Sequence, residues 1–294
     1  MLVPTIVEND TIRKGKGIMK KTLCVLLALI TTIAFTSFVS ASTSNPSEEQ
    51  LINTGVSLET PKPDPHNDLI NAQKMAELNA SMIAARKAGN KSAETAFVLC
   101  ATRPQITMYW CGLAAAEQVI RAYGNSNCLF PTYGTVQYNI AGTIYISGSY
   151  NQITINKWLY ESGNGSVGTS GASMGQVTNA INHFSTDSFN WSHIHVSGTG
   201  TTCANNVFSL YRVTIGTHQK CGVVSVYTQF LDYYNGTNCI HYISVNGYTS
   251  ESSTVVEKFN VVDPHYNTAY RGAHEVQALG FGKAVAGTLD NVIW

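Results

Sequence analysis

Cys111 stands where an aromatic pair, Tyr109 and Trp110, gives way to Gly112 and then to a segment with helical periodicity. A thiol at a helix start meets unpaired backbone N–H groups and the positive end of the helix dipole, and both favour the thiolate, the nucleophilic form of cysteine. A cysteine among apolar neighbours otherwise reads as a small buried hydrophobe. Two further features make Cys111 a candidate nucleophile.

The first is a histidine and an aspartate on neighbouring strand-like runs. In HYISVNGY, from His241 to Tyr248, positions 241, 243, 245 and 247 share a face; in TVVEKFNVVD, from Thr254 to Asp263, positions 255, 257, 259, 261 and 263 do likewise. A turn centred on Ser252 sets position 241 opposite position 263, so His241 and Asp263 meet on one face, and Pro264 stops the second strand there. A carboxylate beside an imidazole fixes its tautomer and stabilises the imidazolium, as a general base requires. A one-residue slip in register would separate the two. The second feature is Gln105, six residues before the cysteine. Its side-chain amide can reach back beside the thiol and donate, together with the Cys111 backbone N–H, to the oxyanion of an acyl-transfer intermediate.

Other groups carry less chemistry. His193 and His195 fall on one side of a strand, but no carboxylate or cysteine at metal-ligand spacing joins them. His265 and His274 follow Asp263, His265 being placed to line a cleft or to sit in a loop, and Trp110 suits a substrate wall or aromatic packing. The glycines between positions 163 and 175 lack the strand, loop and helix setting of a phosphate cradle. No metal or organic cofactor is implied.

The elements that must position these residues follow from periodicity. A helix is expected from Cys111 to Tyr123, with Leu113, Ala116, Val119, Ile120 and Tyr123 on one face and Gly124 ending it; others are expected near Met174 to Phe184 and Ala204 to Ile215. Residues 125 to 172, rich in Gly, Ser, Asn and Tyr, read as loops and short elements. The last third changes character: Val223 to Thr228, His241 to Tyr248 and Thr254 to Val262 read as an antiparallel meander. A helical front and a sheet-rich back give an α+β fold. Ahead of this unit, residues 42 to 66 form an extended linker with Pro61, Pro63 and Pro65 alternating. Residues 68 to 88 read as an amphipathic helix with Leu69, Ala72, Met75, Ala76, Leu78 and Met82 clustered and Gly89 as its stop, either an inhibitory pro-segment, a helix packed on the domain or a wall-spanning stalk. The chain thus divides into residues 1–41, 42–95 and 96–294.

Composition limits the partners. Of 294 residues 44% are hydrophobic and 12% charged, the pattern of a packed globular protein, and Lys plus Arg and Asp plus Glu each number 18. No basic field exists to draw the chain to nucleic acid. The apolar run LCVLLALITTIAF, residues 23 to 35, follows Lys20 and Lys21 and precedes the small-x-small pattern Val39-Ser40-Ala41, which reads as a secretory signal with Met19 as an alternative start. It is shorter than the roughly 20 apolar residues of a membrane-spanning helix, so no stable membrane association is expected after cleavage. Removing the five basic and two acidic residues of positions 1–41 leaves 13 basic and 16 acidic side chains, a mild negative excess. Cys24 leaves with the signal; Cys100, Cys111, Cys128, Cys203, Cys221 and Cys239 remain, irregularly spaced, and no bridge among them is decided by spacing.

The segment QITMYWCGLAAAEQV resembles the Q-x5-C-G-x-A block of papain-like cysteine peptidases, nearest to the bacteriocin-leader-peptidase-like branch, and HYISVNGY and NVVDPHY resemble that branch's histidine and aspartate motifs. The similarity runs over roughly residues 97 to 270 and departs from the pattern at Leu113, where relatives often have proline. The interval from Cys111 to His241, 130 residues, is long for that branch and close to the papain layout. The resemblance implies a papain-like fold, hydrolysis of peptide bonds in a peptide or protein substrate, and roles for Gln105, Cys111, His241 and Asp263. The same order of Cys, His and Asp also serves transglutaminase-like acyl transfer and cell-wall peptide amidases, and a secreted binding protein on a decayed peptidase fold would keep the scaffold without the activity. The Lys20 to Ala41 pattern predicts export to the extracellular space or cell wall. N-terminal sequencing of the protein from culture medium should begin near Ser42, and an intact Leu23 to Phe35 segment recovered from membranes would replace secretion by anchoring.

Overall fold

A computed structural model of the chain describes residues 63–87, 92–122, 136–138, 144–146, 151–185, 188–289 and 291–294. The expected signal and most of the linker lie outside the described residues, as do Gly89, Tyr123, Gly124 and Cys128. The described elements are α1 (Pro65–Lys87), β1 (Glu94–Phe97), α2 (Cys111–Ile120), β2 (Val136–Tyr138), β3 (Ile144–Ile146), α3 (Asn151–Glu161), α4 (Met174–Phe184), β4 (His193–Ile194) and α5 (Gly200–Tyr211). A π-helical turn (Arg212–Thr217), β5 (Gly222–Tyr227), two 3-10 turns (Thr228–Phe230, Asp232–Tyr234), β6 (Ile240–Ser250), β7 (Val256–Asp263), β8 (Gly272–Gln277), α6 (Ala278–Ala286) and β9 (Val292–Ile293) follow. Among the described residues no helix is long and apolar enough to cross a membrane.

The mixture of helices and antiparallel sheet is the expected α+β fold. The main sheet has seven strands in the order β4-β9-β5-β6-β7-β8, with β1 also on β6. Strands β5, β6 and β7 form the expected meander, and β8 adds a fourth antiparallel strand to it. At 11 residues β6 is long enough to pair β5 along its first half and β1 along its second, with β7 on the other edge. Where β1 and β5 meet along that edge, Asn246 bulges out of the ladder; its backbone accepts from Val98 N at 2.7 Å and its amide donates to Val98 O at 3.0 Å.

The register of β6 on β7 corrects the sequence expectation. Ser244 pairs with Val262 and Val245 with Val261, so the continued ladder sets Asp263 opposite Ile243, two residues from the expected match with His241. The turn is centred one residue later than Ser252, because Glu251 N and Ser252 N both donate to Val255 O and the strand carries an irregularity between Thr249 and Ser250. A shift of two preserves the face on which a side chain points, so His241 and Asp263 become diagonal neighbours, a separation that long side chains bridge.

Every residue of α2 is buried. Ser244 of β6 donates to Ala115 O at 3.3 Å, and Tyr242 packs beside Gly112 while its hydroxyl donates to Ala172 O at 3.1 Å. Helices α5 and α6 pack closely because Gly282 faces a backbone: a Cβ there would lie 1.8 Å from Gly200 O. Such glycines hide α6 from a propensity reading, since ALGFGKAVA contains two of them. Helix α3 was hidden for another reason. Its β-branched Ile153, Thr154 and Ile155 disfavour a helix, and its buried stripe, Gln152, Ile155 and Leu159, includes a polar residue.

Helix α1 forms as expected, but its buried positions are Asn67, Ile70, Lys74 and Leu78, whereas Leu69 is exposed. The buried stripe is partly polar because its partners are backbone carbonyls. Asn67 and Asn71 donate to His193 O at 3.0 and 2.7 Å, and Lys74 Nζ donates to Asn190 O at 3.3 Å and to Trp294 O, over the rings of Phe189 and Trp294. Burial pushes the Lys74 ammonium well below the usual lysine range. This docking site is at the β4 edge, three strands from β6 in the sheet order.

Packing at the start of α2 leaves no space for a side chain at Gly112, where a Cβ would come within 2.8 Å of Ala172 Cβ and 3.0 Å of both Tyr242 and Val177. Gly112→Ala should lower stability by about 1–3 kcal/mol despite alanine's better helix propensity. Denaturant unfolding of the two chains measures the difference.

Candidate active site

Cys111 is the first residue of α2, preceded by Trp110, and no side chain caps that helix end. The thiol is buried and hydrogen-bonds the imidazole of His241, which is itself 3% exposed. His241 Nε2 donates to Asp263 Oδ1 at 2.9 Å, which leaves Nδ1 as the ring nitrogen for Cys111. A helix from the front of the chain and two strands from the back thus bring Cys111, His241 and Asp263 together.

The charges in this line support one another. Burial pushes the His241 pKa down, but the Asp263 carboxylate and Cys111 outweigh it and hold the imidazole well above the ordinary histidine value. Burial likewise pushes Asp263 up, and the charge and hydrogen bond of His241, the His265 backbone N–H and the Tyr234 hydroxyl bring its pKa below the usual value. His265, two residues on, has its pKa lowered to about 4 by burial and by the His241 charge. It therefore stays neutral, with Nδ1 accepting from Asn267 N at 3.0 Å and its ring centred 5.3 Å from that of His241. His274 is set back, stacked on Tyr233 at 3.7 Å.

Gln105 is buried in the loop before α2. Its Nε2 donates to Thr107 O at 3.0 Å, and its Oε1 has no hydrogen-bond partner among the described residues. The loop is anchored on two sides. Gln105 N donates to Pro264 O at 2.8 Å, directly after Asp263, which ties the loop to the end of β7. Gln152 of α3 accepts from Ile106 N at 3.0 Å and donates to Pro104 O at 3.0 Å and to Glu117 Oε2 at 3.1 Å, gripping the peptide groups on both sides of Gln105. Trp110 is half-buried, and its indole donates to Val167 O at 3.3 Å, which also gives the glycine-containing segment near position 167 a packing role.

Sequence reasoning missed Gln152, Tyr233 and Tyr234. Gln152 lay in a segment with no clear periodicity, and the tyrosines lie just ahead of a turn-like stretch, Asn235 to Asn238. The pair of aromatic residues just ahead of that turn was the available signal. His193 and His195 do not converge on a common ligand: His193 is buried beside α1, accepting Asn67 through its carbonyl, and His195 Nδ1 contacts Leu289 O. Among the described residues Cys100, Cys111, Cys203, Cys221 and Cys239 form no disulfide with one another.

An α+β fold with a thiol at a helix start and an imidazole–carboxylate pair on the adjoining sheet is the framework of the papain-like cysteine peptidases. The model of the Peptidase_C39 like family matches residues 100–285, a span that contains Gln105, Cys111, His241 and Asp263, and the chain belongs to that family. No curated protein and no solved structure matches the chain.

The electrostatics predict that the His241 imidazole titrates above the ordinary midpoint of about 6.5. Asp263→Asn should move it down, because the raising charge is gone while burial remains. Histidine-selective NMR titration of both chains reads the midpoints, and equal values would remove Asp263 as the cause.

Proposed function

We propose that the protein is an exported cysteine peptidase that hydrolyses peptide bonds through Cys111, His241 and Asp263, with Gln105 in the oxyanion hole. The observation that carries this reading is the continuous contact from thiol to imidazole to carboxylate. His241 takes the Cys111 proton and, as imidazolium, stabilises the thiolate. The thiolate attacks the carbonyl carbon, and the carbonyl oxygen becomes an oxyanion. We assign the Cys111 N–H, at a helix start with no side-chain cap, as one donor to it. Gln105 is assigned as the second donor: one of its two amide hydrogens is bound to Thr107 O, and the other is the one this reading gives to the oxyanion. Collapse of this intermediate breaks the C–N bond as His241 passes its proton to the leaving amine. The acyl group is left as a thioester on Cys111. His241 then deprotonates a water, which attacks the thioester, and the carboxylic acid and free thiol are released. Asp263 keeps the imidazole in the orientation and tautomer that both proton transfers need.

Export is supported by the basic, apolar and small-residue succession from Lys20 to Ala41. A peptide or protein is the substrate this chemistry takes, and none of its steps calls for a metal or organic cofactor.

A mixed peptide library incubated with the reduced protein, with products identified by mass spectrometry, tests the reading. The wild-type chain should release defined products and Cys111→Ser none, while still folding. Gln105→Ala should lower kcat by on the order of 10²-fold, the cost of one oxyanion donor. Iodoacetamide near pH 6 should modify Cys111 ahead of Cys100 and Cys239, and His241→Ala should remove that selectivity. Absence of products together with unselective alkylation would leave a binding protein on a peptidase fold.

A further inference from the structure

A buried carboxylate needs donors in place of water, and Asp263, fully buried, has four. Oδ1 accepts from His241 Nε2 at 2.9 Å and from the His265 backbone N–H at 2.8 Å. Oδ2 accepts two phenol hydroxyls, from Tyr233 at 3.0 Å and from Tyr234 at 2.9 Å. Consecutive residues ordinarily point in different directions. Here a 3-10 turn, Asp232–Tyr234, closed by Asn235 at φ 50°, brings both hydroxyls to one oxygen. Each ring is held from outside: Tyr233 lies flat on His274 with centroids 3.7 Å apart, and Tyr234 stacks on Tyr270 at 4.4 Å. None of this packing requires a hydroxyl.

We propose that Tyr233 and Tyr234 are positioning residues that keep Asp263 anionic and aimed at His241, and so set the acid limit at which the peptidase works. The inference rests on the peptidase reading of Cys111, His241 and Asp263. A phenol held protonated can only donate to a carboxylate, and burial together with the Asp263 charge pushes both phenols up, so that they stay protonated. Donation to the charged form favours it over the neutral acid. With Oδ2 fixed by two hydroxyls, the carboxyl group cannot rotate, and Oδ1 stays on the imidazole. Without them, the burial that opposes the charge acts with less resistance, the carboxyl takes up a proton at a higher pH, and a neutral acid no longer stabilises the His241 imidazolium. The other titratable groups facing this cluster are Cys111 on α2, Cys239 ahead of β6, His265 and Tyr270 after β7, and His274 on β8 behind Tyr233. His265 is neutral, so its contribution to the carboxylate is the backbone N–H.

Tyr233→Phe, Tyr234→Phe and the double variant keep the rings and remove the hydroxyls. In the full chain labelled with ¹³C-aspartate, the Asp263 side-chain carboxyl resonance, assigned with Asp263→Asn, is titrated by NMR. The wild-type midpoint is expected below the ordinary aspartate value of about 3.9, with the double variant above wild type and the single variants between. The acid limb of kcat/KM should move up in the same order, through kcat more than KM. At pH 5 the double variant should lose about tenfold in kcat/KM, with a smaller loss at pH 8. A double-variant midpoint equal to wild type overturns the proposal, and so does a shifted midpoint with an unmoved acid limb, since the hydroxyls would then hold the carboxylate's charge without setting the acid limit. The carboxyl titration needs no turnover. A wild-type chain that cleaves no peptide overturns the peptidase reading, and the midpoint then decides separately whether the tyrosines hold the charge.

Discussion

The structure is organised around an ion pair that neither partner could sustain alone. His241 and Asp263 are 3% and 0% exposed. Burial disfavours the charged form of each, and pushes a solitary carboxylate or imidazolium at either position toward its neutral form. Joined by a 2.9 Å hydrogen bond, both shift toward the charged form. A pair of this kind tolerates little geometric error, since its mutual attraction offsets desolvation only when the hydrogen bonds are good and the remaining lone pairs are satisfied. The surrounding fold supplies that satisfaction through the His265 backbone and two phenol hydroxyls on the one carboxylate.

The requirement reaches the front half of the chain through the backbone. Gln105 N donates to Pro264 O, one residue past the aspartate, so the loop leading into α2, which begins at Cys111, is fastened to the strand carrying the carboxylate. Gln152 fixes the same loop from α3, and Glu117 of α2 holds Gln152 in turn. Three distant stretches of sequence, near positions 105, 152 and 263, therefore act as one frame. Gly112 completes it, because the first turn of α2 lies against Ala172, Val177 and Tyr242 too closely for any side chain.

What was legible in the sequence was the part governed by local rules. The strand period of two placed His241 and Asp263 on one face, and that parity survived a two-residue error in register, because the error came from the turn, whose chemistry was ambiguous, and not from the alternation. The helices Cys111–Ile120 and Met174–Phe184 were legible from apolar stripes, the second to the residue. What stayed hidden was polar or glycine-bearing at its contacts. The stripe of α3 includes a buried glutamine, that of α1 carries an asparagine and a lysine bound to carbonyls, and α6 has glycine where α5 approaches. In each case a tertiary partner, absent from any local window, determines why that residue type is there.

The same distinction explains the two tyrosines. A hydrophobic reading assigns aromatic residues ahead of a turn to packing, and the stacks on His274 and Tyr270 do account for their rings. The rings do not account for the oxygens. Phenylalanine would stack as well, and a buried hydroxyl carries a desolvation cost that only a partner offsets. Both hydroxyls meet the carboxylate oxygen left over by the imidazole, so the Asp232–Tyr234 turn is joined to the ion pair by polar chemistry as well as by packing.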